Sequence, residues 1–225
     1  MTESLPPPRL TPPWWLILII AVAAAAGTWL GQRWWADPAA SSGLPLHSGD
    51  LVRYPVPKQV DVVPLVDRHG QAWSVEQLRG RYSLLFFGFT HCPDICPAAL
   101  AMLKSSADRW RSELPAERQP QVVFVSVDPK RDTPEQLGKY VDFFDPGFTA
   151  VTASDEVLLP WTRSLGIVYV YTPTGPGEFD YTVDHSGSIL LLDPQLQLVG
   201  LFRPPQTVAQ ITETMLTILG DNAAP

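Results

Sequence analysis

At 225 residues the chain is long enough for one ordinary domain plus a further segment, and a domain of that size buries a sizeable core without disulfide staples. Sixteen Lys and Arg stand against 23 Asp and Glu, a formal net charge of −7, and there is no basic cluster of the kind that neutralises phosphates. These bounds argue against nucleic acid as a partner and leave the two cysteines free for chemistry.

A short tail, 1–13, leads into "WWLILIIAVAAAAGTWLG", Trp14 to Gly31, about 18 uncharged residues. As a helix this run would span roughly 27 Å, enough to cross a bilayer. Trp14 and Trp15 at one end and Trp34 and Trp35 at the other have the pattern of an interfacial aromatic belt, with Arg33 placed to snorkel beside them. A cleaved signal peptide is the competing reading, because Ala23 to Gly27 offers small residues, but the apolar run continues past them through Leu30. A transmembrane anchor at 14–31 is therefore expected. Charge leaves its orientation open, with Arg9 before the run and Arg33, Arg53 and Lys58 after it. No cysteine follows the run to carry a lipid.

Residues 32–59 are rich in Pro, Gly, Ser and Ala and read as an extended tether, so the folded domain is expected over 60–225. Its first strand is expected in "VDVVPLVD", followed by a His-Gly turn, a short helical piece in "SVEQLRG" and the buried strand "YSLLFFGF". Past the cysteines, Leu100, Leu103, Ala107 and Trp110 recur at helical spacing, and "QVVFVSVD" is a second continuous apolar strand. "DTPEQLGKYVDFF" opens with Thr133 as N-cap and Pro134 at the first helical position. A strand in "FTAVTAS", a helix over Asp155 to Leu165 and a strand "IVYVYTP" follow. Two strands around the Asp193-Pro194 turn and a helix from Val208 to Leu219 end the chain. The pattern predicts an α/β fold, a thioredoxin-like mixed sheet with flanking helices, preceded by one N-terminal transmembrane helix.

Both cysteines lie in "GFTHCPDICP", where strand turns into helix. Cys92 is expected in the turn and Cys96 in the first helical turn, near free backbone N–H groups that favour thiolates. Thiolates serve both metal binding and disulfide exchange. A third ligand has to come from His47, His69, His91 or His185. His47 falls in the tether and His69 in a turn, and both read as solvated. His91 adjoins Cys92, but successive residues leaving a strand point in opposite directions. His185 lies in the loop leading into "SILLLD", which in a thioredoxin-like sheet faces the cysteine turn. It reads equally as a ligand or as a surface histidine bonded to a nearby carbonyl. A Cys, Cys, His set is soft and three-coordinate, which suits copper, Cu(I) above all, whereas structural zinc takes a fourth protein ligand. Asp94 and Asp184 stand beside these residues, either tuning the site or as ordinary surface carboxylates.

The stretches "FFGFTHCPDICP", "VFVSVDPKRDTPEQLGKYV" and "YTVDHSGSILLLDP" together resemble the Sco/SenC family of copper chaperones for cytochrome c oxidase, over about Val60 to the last helix. The resemblance implies metal ligands at Cys92, Cys96 and His185, with copper as Cu(I) or Cu(II). It implies a single-pass inner membrane protein whose soluble domain lies on the outer side, the bacterial periplasm or the mitochondrial intermembrane space. The implied task is delivery of copper to the binuclear copper centre of cytochrome c oxidase subunit II, reduction of its cysteines, or both. An upstream copper donor and a thiol reductant are the further partners implied. Asp128 and Asp132 resemble family positions near the site, and also read as turn and cap residues. The Gly- and Pro-rich "YTPTGPGEFDYTVDH" departs from the family pattern. The alternative function is a thiol–disulfide oxidoreductase or thiol peroxidase that uses Cys92 and Cys96 without metal.

Overall fold

The computed structural model describes residues 14–35, 47–48 and 51–221, so the expected tail and the parts of the tether at 36–46 and 49–50 lie outside the described residues. Two compact units are present, Met1–Leu44 and Pro45–Pro225. The first contains helix α1, Trp14–Trp35, of 22 residues. Within it the Thr28 hydroxyl bonds back to the Ala24 and Ala25 carbonyls, at 3.0 and 2.9 Å. Among the described residues no helix is long and apolar enough to cross a membrane. The anchor expected at 14–31 therefore rests on the sequence alone.

The second unit is a mixed α/β layer. Its strands are β1 (His47–Ser48), β2 (Leu51–Gln59), β3 (Leu65–Asp67), β4 (Ala72–Trp73), β5 (Ser83–Gly88), β6 (Gln121–Ser126), β7 (Thr149–Thr152), β8 (Tyr169–Pro173), β9 (Tyr181–His185), β10 (Ile189–Leu192) and β11 (Gln197–Phe202). The helices are α2 (Ile95–Glu113), α3 (Pro134–Phe144), α4 (Asp155–Ser164) and α5 (Val208–Asp221). Among the described residues nine strands pair in the order β1-β2-β11-β10-β5-β6-β7-β3-β4, while β8 and β9 pair only with each other. The β5-β6 and β6-β7 pairs are parallel, and the other pairs are antiparallel.

The apolar runs "SLLFFG" and "ILLL" become β5 and β10, buried at every position, as central strands covered on both faces must be. Phe86 and Phe124 are register partners and meet on one face, where Tyr140 of α3 joins them. Phe87 points to the other face and packs on Trp161 of α4. Thr133 caps α3 by accepting the Gln136 backbone N–H at 3.3 Å, with Pro134 at the helix start, as its sequence predicts.

Two expectations need correction. The segment assigned to the tether over 51–59 is strand β2, with Leu51 1% exposed and paired to β11. Pro55 and Pro57 disguise it, because a proline interrupts a ladder. The register passes from Lys58 opposite Leu198 to Arg53 opposite Gly200, so both prolines fall in a bulge and owe no ladder bond. The segment before His185, read as a loop, is strand β9, antiparallel to β8.

A chain begun at Pro45 should keep its fold, whereas one begun at Val60 should lose β2 and expose the edge of β11. Loss of Leu51 burial alone costs about 2 kcal/mol. Urea unfolding of the two truncations checks this, and equal stability would show that β2 contributes nothing.

Candidate metal centre

Strand β5 ends at Gly88, beneath the turn that carries the cysteines. A Cβ at this position would lie 2.5 Å from Cys96 Sγ and 3.0 Å from Phe124 Cε2, so only glycine lets the sulfur settle onto the end of the strand. The turn begins with a bond from Cys92 N to Phe89 O at 3.2 Å, and α2 starts three residues after Cys92. Asp94 is the N-cap residue, yet its carboxylate makes no capping bond. Instead Cys92 Sγ accepts the Cys96 backbone N–H at 3.4 Å, so sulfur fills the place of a capping oxygen.

Both thiols are free and buried, Cys96 completely. A hydrogen bond from the Cys96 thiol is the largest influence on Cys92 and brings it down to about 4, helped by the Asp94 and Cys96 backbone N–H groups against the opposing effect of burial. The same bond, followed by burial, pushes Cys96 far above the ordinary thiol range. The pair therefore shares one proton, as a Cys92 thiolate and a Cys96 thiol. This corrects the expectation of two thiolates, since only Cys92 faces the free N–H groups of the helix end.

His185 comes from the end of β9. Its Nε2 is 3.3 Å from Cys96 Sγ, and its Nδ1 is 3.1 Å from the Ser186 carbonyl oxygen. A carbonyl only accepts, so in the neutral ring Nδ1 holds the proton and Nε2 turns its lone pair to the sulfurs. The Phe86 and Phe89 rings meet the imidazole edge-on, with centroids at 6.2 and 5.8 Å. The ligand atoms of Cys92, Cys96 and His185 all lie within 4.8 Å of one another. A common centre with bonds near 2.0–2.3 Å needs donors about 4 Å apart, so the set fits one small soft ion after a slight contraction. The carbonyl bond of one reading of His185 is present at Nδ1, and the other ring nitrogen faces the thiols. A cleft of about 260 Å³ between Pro93–Ile95 and Thr182–Asp184 is lined by Cys92 and His185, with Cys96 buried behind them.

The other candidates lie elsewhere. His91 is exposed, with Nδ1 3.1 Å from Thr90 Oγ1 and 3.6 Å from Asp132 Oδ1. His69 sits in the turn after β3, where its backbone N–H bonds to Asp67. His47 is in β1. Asp184 accepts the Thr172 hydroxyl across the hairpin at 2.6 Å. Asp128 and Asp132 are fully buried. Asp132 takes the Thr90 N–H and hydroxyl at 2.9 and 2.6 Å and the Ser126 hydroxyl at 2.6 Å, which fastens the cysteine turn to the end of β6. Thr90 and Ser126 had no signal in the sequence beyond their places beside the Cys and Asp motifs.

A mixed sheet flanked by helices, with a Cys-x-x-x-Cys turn at a strand end and a histidine brought to it from a separate hairpin, defines a thioredoxin-like domain with a candidate soft-metal centre. The SCO1/SenC family profile matches residues 63–220, and the chain belongs to that family. A protein of Stutzerimonas stutzeri is 37% identical over 176 residues, covering 77% of this chain and 83% of that one. The mitochondrial SCO1 homolog 1 of Arabidopsis thaliana is 35% identical over 149 residues, covering 66% of this chain and 43% of its own length, so the chain spans less than half of that relative. The crystal structure of Arabidopsis thaliana ScoI with copper bound superimposes with a TM-score of 0.66 at 31% identity, covering 72% of this chain and 98% of that one.

Iodoacetamide should alkylate Cys92 at a rate nearly flat from pH 6 to 9, because a group with its pKa near 4 is already thiolate throughout. A rate rising about tenfold per pH unit would mean an ordinary thiol. The lowered pKa of Cys92 contributes stability that is complete above the unfolded thiol value and is lost as pH falls toward about 4. Gly88→Ala should displace Cys96 and cost about 1–3 kcal/mol by overpacking. Thermal unfolding measures that cost, and an unchanged melting temperature would refute the close approach.

Proposed function

We propose that the protein is a membrane-anchored copper metallochaperone that binds the ion through Cys92, Cys96 and His185 and passes it to the binuclear copper centre of cytochrome c oxidase subunit II. The observation that carries the reading is the convergence of two sulfurs and an imidazole lone pair from separate elements within 4.8 Å. Two sulfurs and one nitrogen in a buried, three-donor site match Cu(I) and leave a side open for a receiving ligand. Membership of a family described as cytochrome c oxidase assembly proteins supports the client, and the copper-bound Arabidopsis relative supports the cargo. Copper is then the substrate, and Cys92 and His185, at the cleft, are the donors a receiving protein meets first. Anchoring is part of the reading through the uncharged run from Trp14 to Gly31 in the sequence. The domain is then held on the outer side of the inner membrane, in the periplasm or the mitochondrial intermembrane space.

The second reading is thiol–disulfide exchange without metal, and the observation that favours it is the thiolate–thiol pair itself. A low-pKa Cys92 beside a protonated Cys96 is poised to attack a disulfide and resolve it. His185→Ala separates the two, since imidazole supplies a metal donor but takes no covalent part in exchange. The variant should bind Cu(II) about ten- to a hundredfold more weakly in chelator competition, and Cu(I) more weakly by a smaller factor, while exchanging with a small disulfide at a comparable rate. Full copper affinity with lost exchange would make the oxidoreductase the better account.

A further inference from the structure

The hairpin of β8 and β9 shares no ladder with the nine-stranded sheet, so side chains decide where it stands. Strand β9 carries Tyr181, Val183 and His185 at alternate positions, with Val183 buried and Asp184 exposed, so these three share the inward face. One end of that face meets the cysteines through His185, and the other meets Arg131.

Arg131 ties the hairpin to the end of β6 through Nε and Nη1, while its buried Nη2 has no hydrogen-bond partner among the described residues. Its Nε donates to Asp128 Oδ2 at 2.5 Å, and its Nη1 donates to the carbonyls of Tyr181 at 2.8 Å and Phe179 at 3.3 Å. The guanidinium carbon lies 3.8 Å from the centroid of the Tyr181 ring and 5.6 Å from that of Phe89. The Tyr181 hydroxyl closes the loop by donating to Asp128 Oδ1 at 2.6 Å. Phe89 is the same ring that meets His185 at 89°. Asp128 is completely buried and the Arg131 side chain 11% exposed, so the pair is shielded from water. Only a planar, forked cation can cover a ring, reach a carboxylate and bond two carbonyls together, and lysine lacks that geometry.

We propose that Arg131 is the positioning residue for the third copper donor. It holds β9 in the register that turns His185 to the sulfurs, and thereby sets whether copper is held by three donors or by two. A slip of one residue would turn His185 outward and Asp184 inward. The idea rests on the copper-binding reading above, but the placement of His185 is testable without metal.

The test uses the full chain in detergent. Arg131→Met alone would strand a buried carboxylate, so it is combined with Asp128→Asn, and Arg131→Lys serves as the milder change. Each is made in the native and His185→Ala backgrounds. Without metal, NMR cross-peaks from the His185 ring to Phe89 and to the Cys96 β-protons should be present in the native chain and lost in the Asp128→Asn/Arg131→Met chain. With copper ions and a competing chelator, that variant should lose about tenfold in Cu(II) affinity and less in Cu(I), which two sulfurs alone hold well. Arg131→Lys should fall between. In the His185→Ala background the same changes should have no further effect. Equal losses in both backgrounds, or retained cross-peaks with unchanged affinity, would overturn the proposal. Lost cross-peaks in a chain whose copper affinity is indifferent to His185→Ala would leave the positioning role standing and defeat the copper ligand set instead.

Discussion

The contact on which the rest depends is the 3.3 Å approach of His185 Nε2 to Cys96 Sγ, because its two atoms arrive on separately paired pieces of chain. The sulfur is carried by the long central sheet, through the end of β5 and the first turn of α2. The nitrogen is carried by a two-stranded hairpin with no ladder to that sheet. Everything that makes the centre more than a pair of thiols must hold these two parts in step.

The structure does this with buried carboxylates in different roles. Asp132 accepts three hydrogen bonds from Thr90 and Ser126, which offsets the cost of burying its charge and fixes the turn against β6. Ser126 also accepts the Asp128 N–H at 3.1 Å, so the support of the turn and the support of the hairpin meet at one hydroxyl. Tyr171 adds a second hold on the hairpin, with its hydroxyl 2.8 Å from both the Val127 carbonyl and Asp155. The chemistry of the sulfurs depends on the same scaffold. Cys92 becomes a thiolate because the turn leaves it facing the helix end and the Cys96 thiol.

Much of this was legible in the sequence. The runs that became β5, β6 and β10, the cap of α3 and the strand-to-helix place of the cysteines are local patterns, and local patterns survive folding. His185 is legible because the loop before "SILLLD" faces the cysteine turn in such a sheet, and the family resemblance favours a ligand there over a surface histidine. Strand β2 was missed because Pro55 and Pro57 look like tether until a bulge absorbs them. Strand β9 was missed because five residues after a Gly- and Pro-rich stretch carry little periodicity. The contact of Arg131 with Tyr181 spans 50 residues of sequence, and nothing in either segment announces the other. The uneven sharing of one proton between the thiols was hidden for a similar reason, since it depends on which sulfur faces the helix end.

The most direct test of the central claim is X-ray absorption at the copper edge of the reduced, Cu(I)-loaded chain. The account predicts two sulfur scatterers and one nitrogen scatterer in the first shell, with the nitrogen contribution gone in His185→Ala and both sulfurs retained. A first shell of nitrogen and oxygen alone, or a spectrum that His185→Ala leaves unaltered, would contradict it.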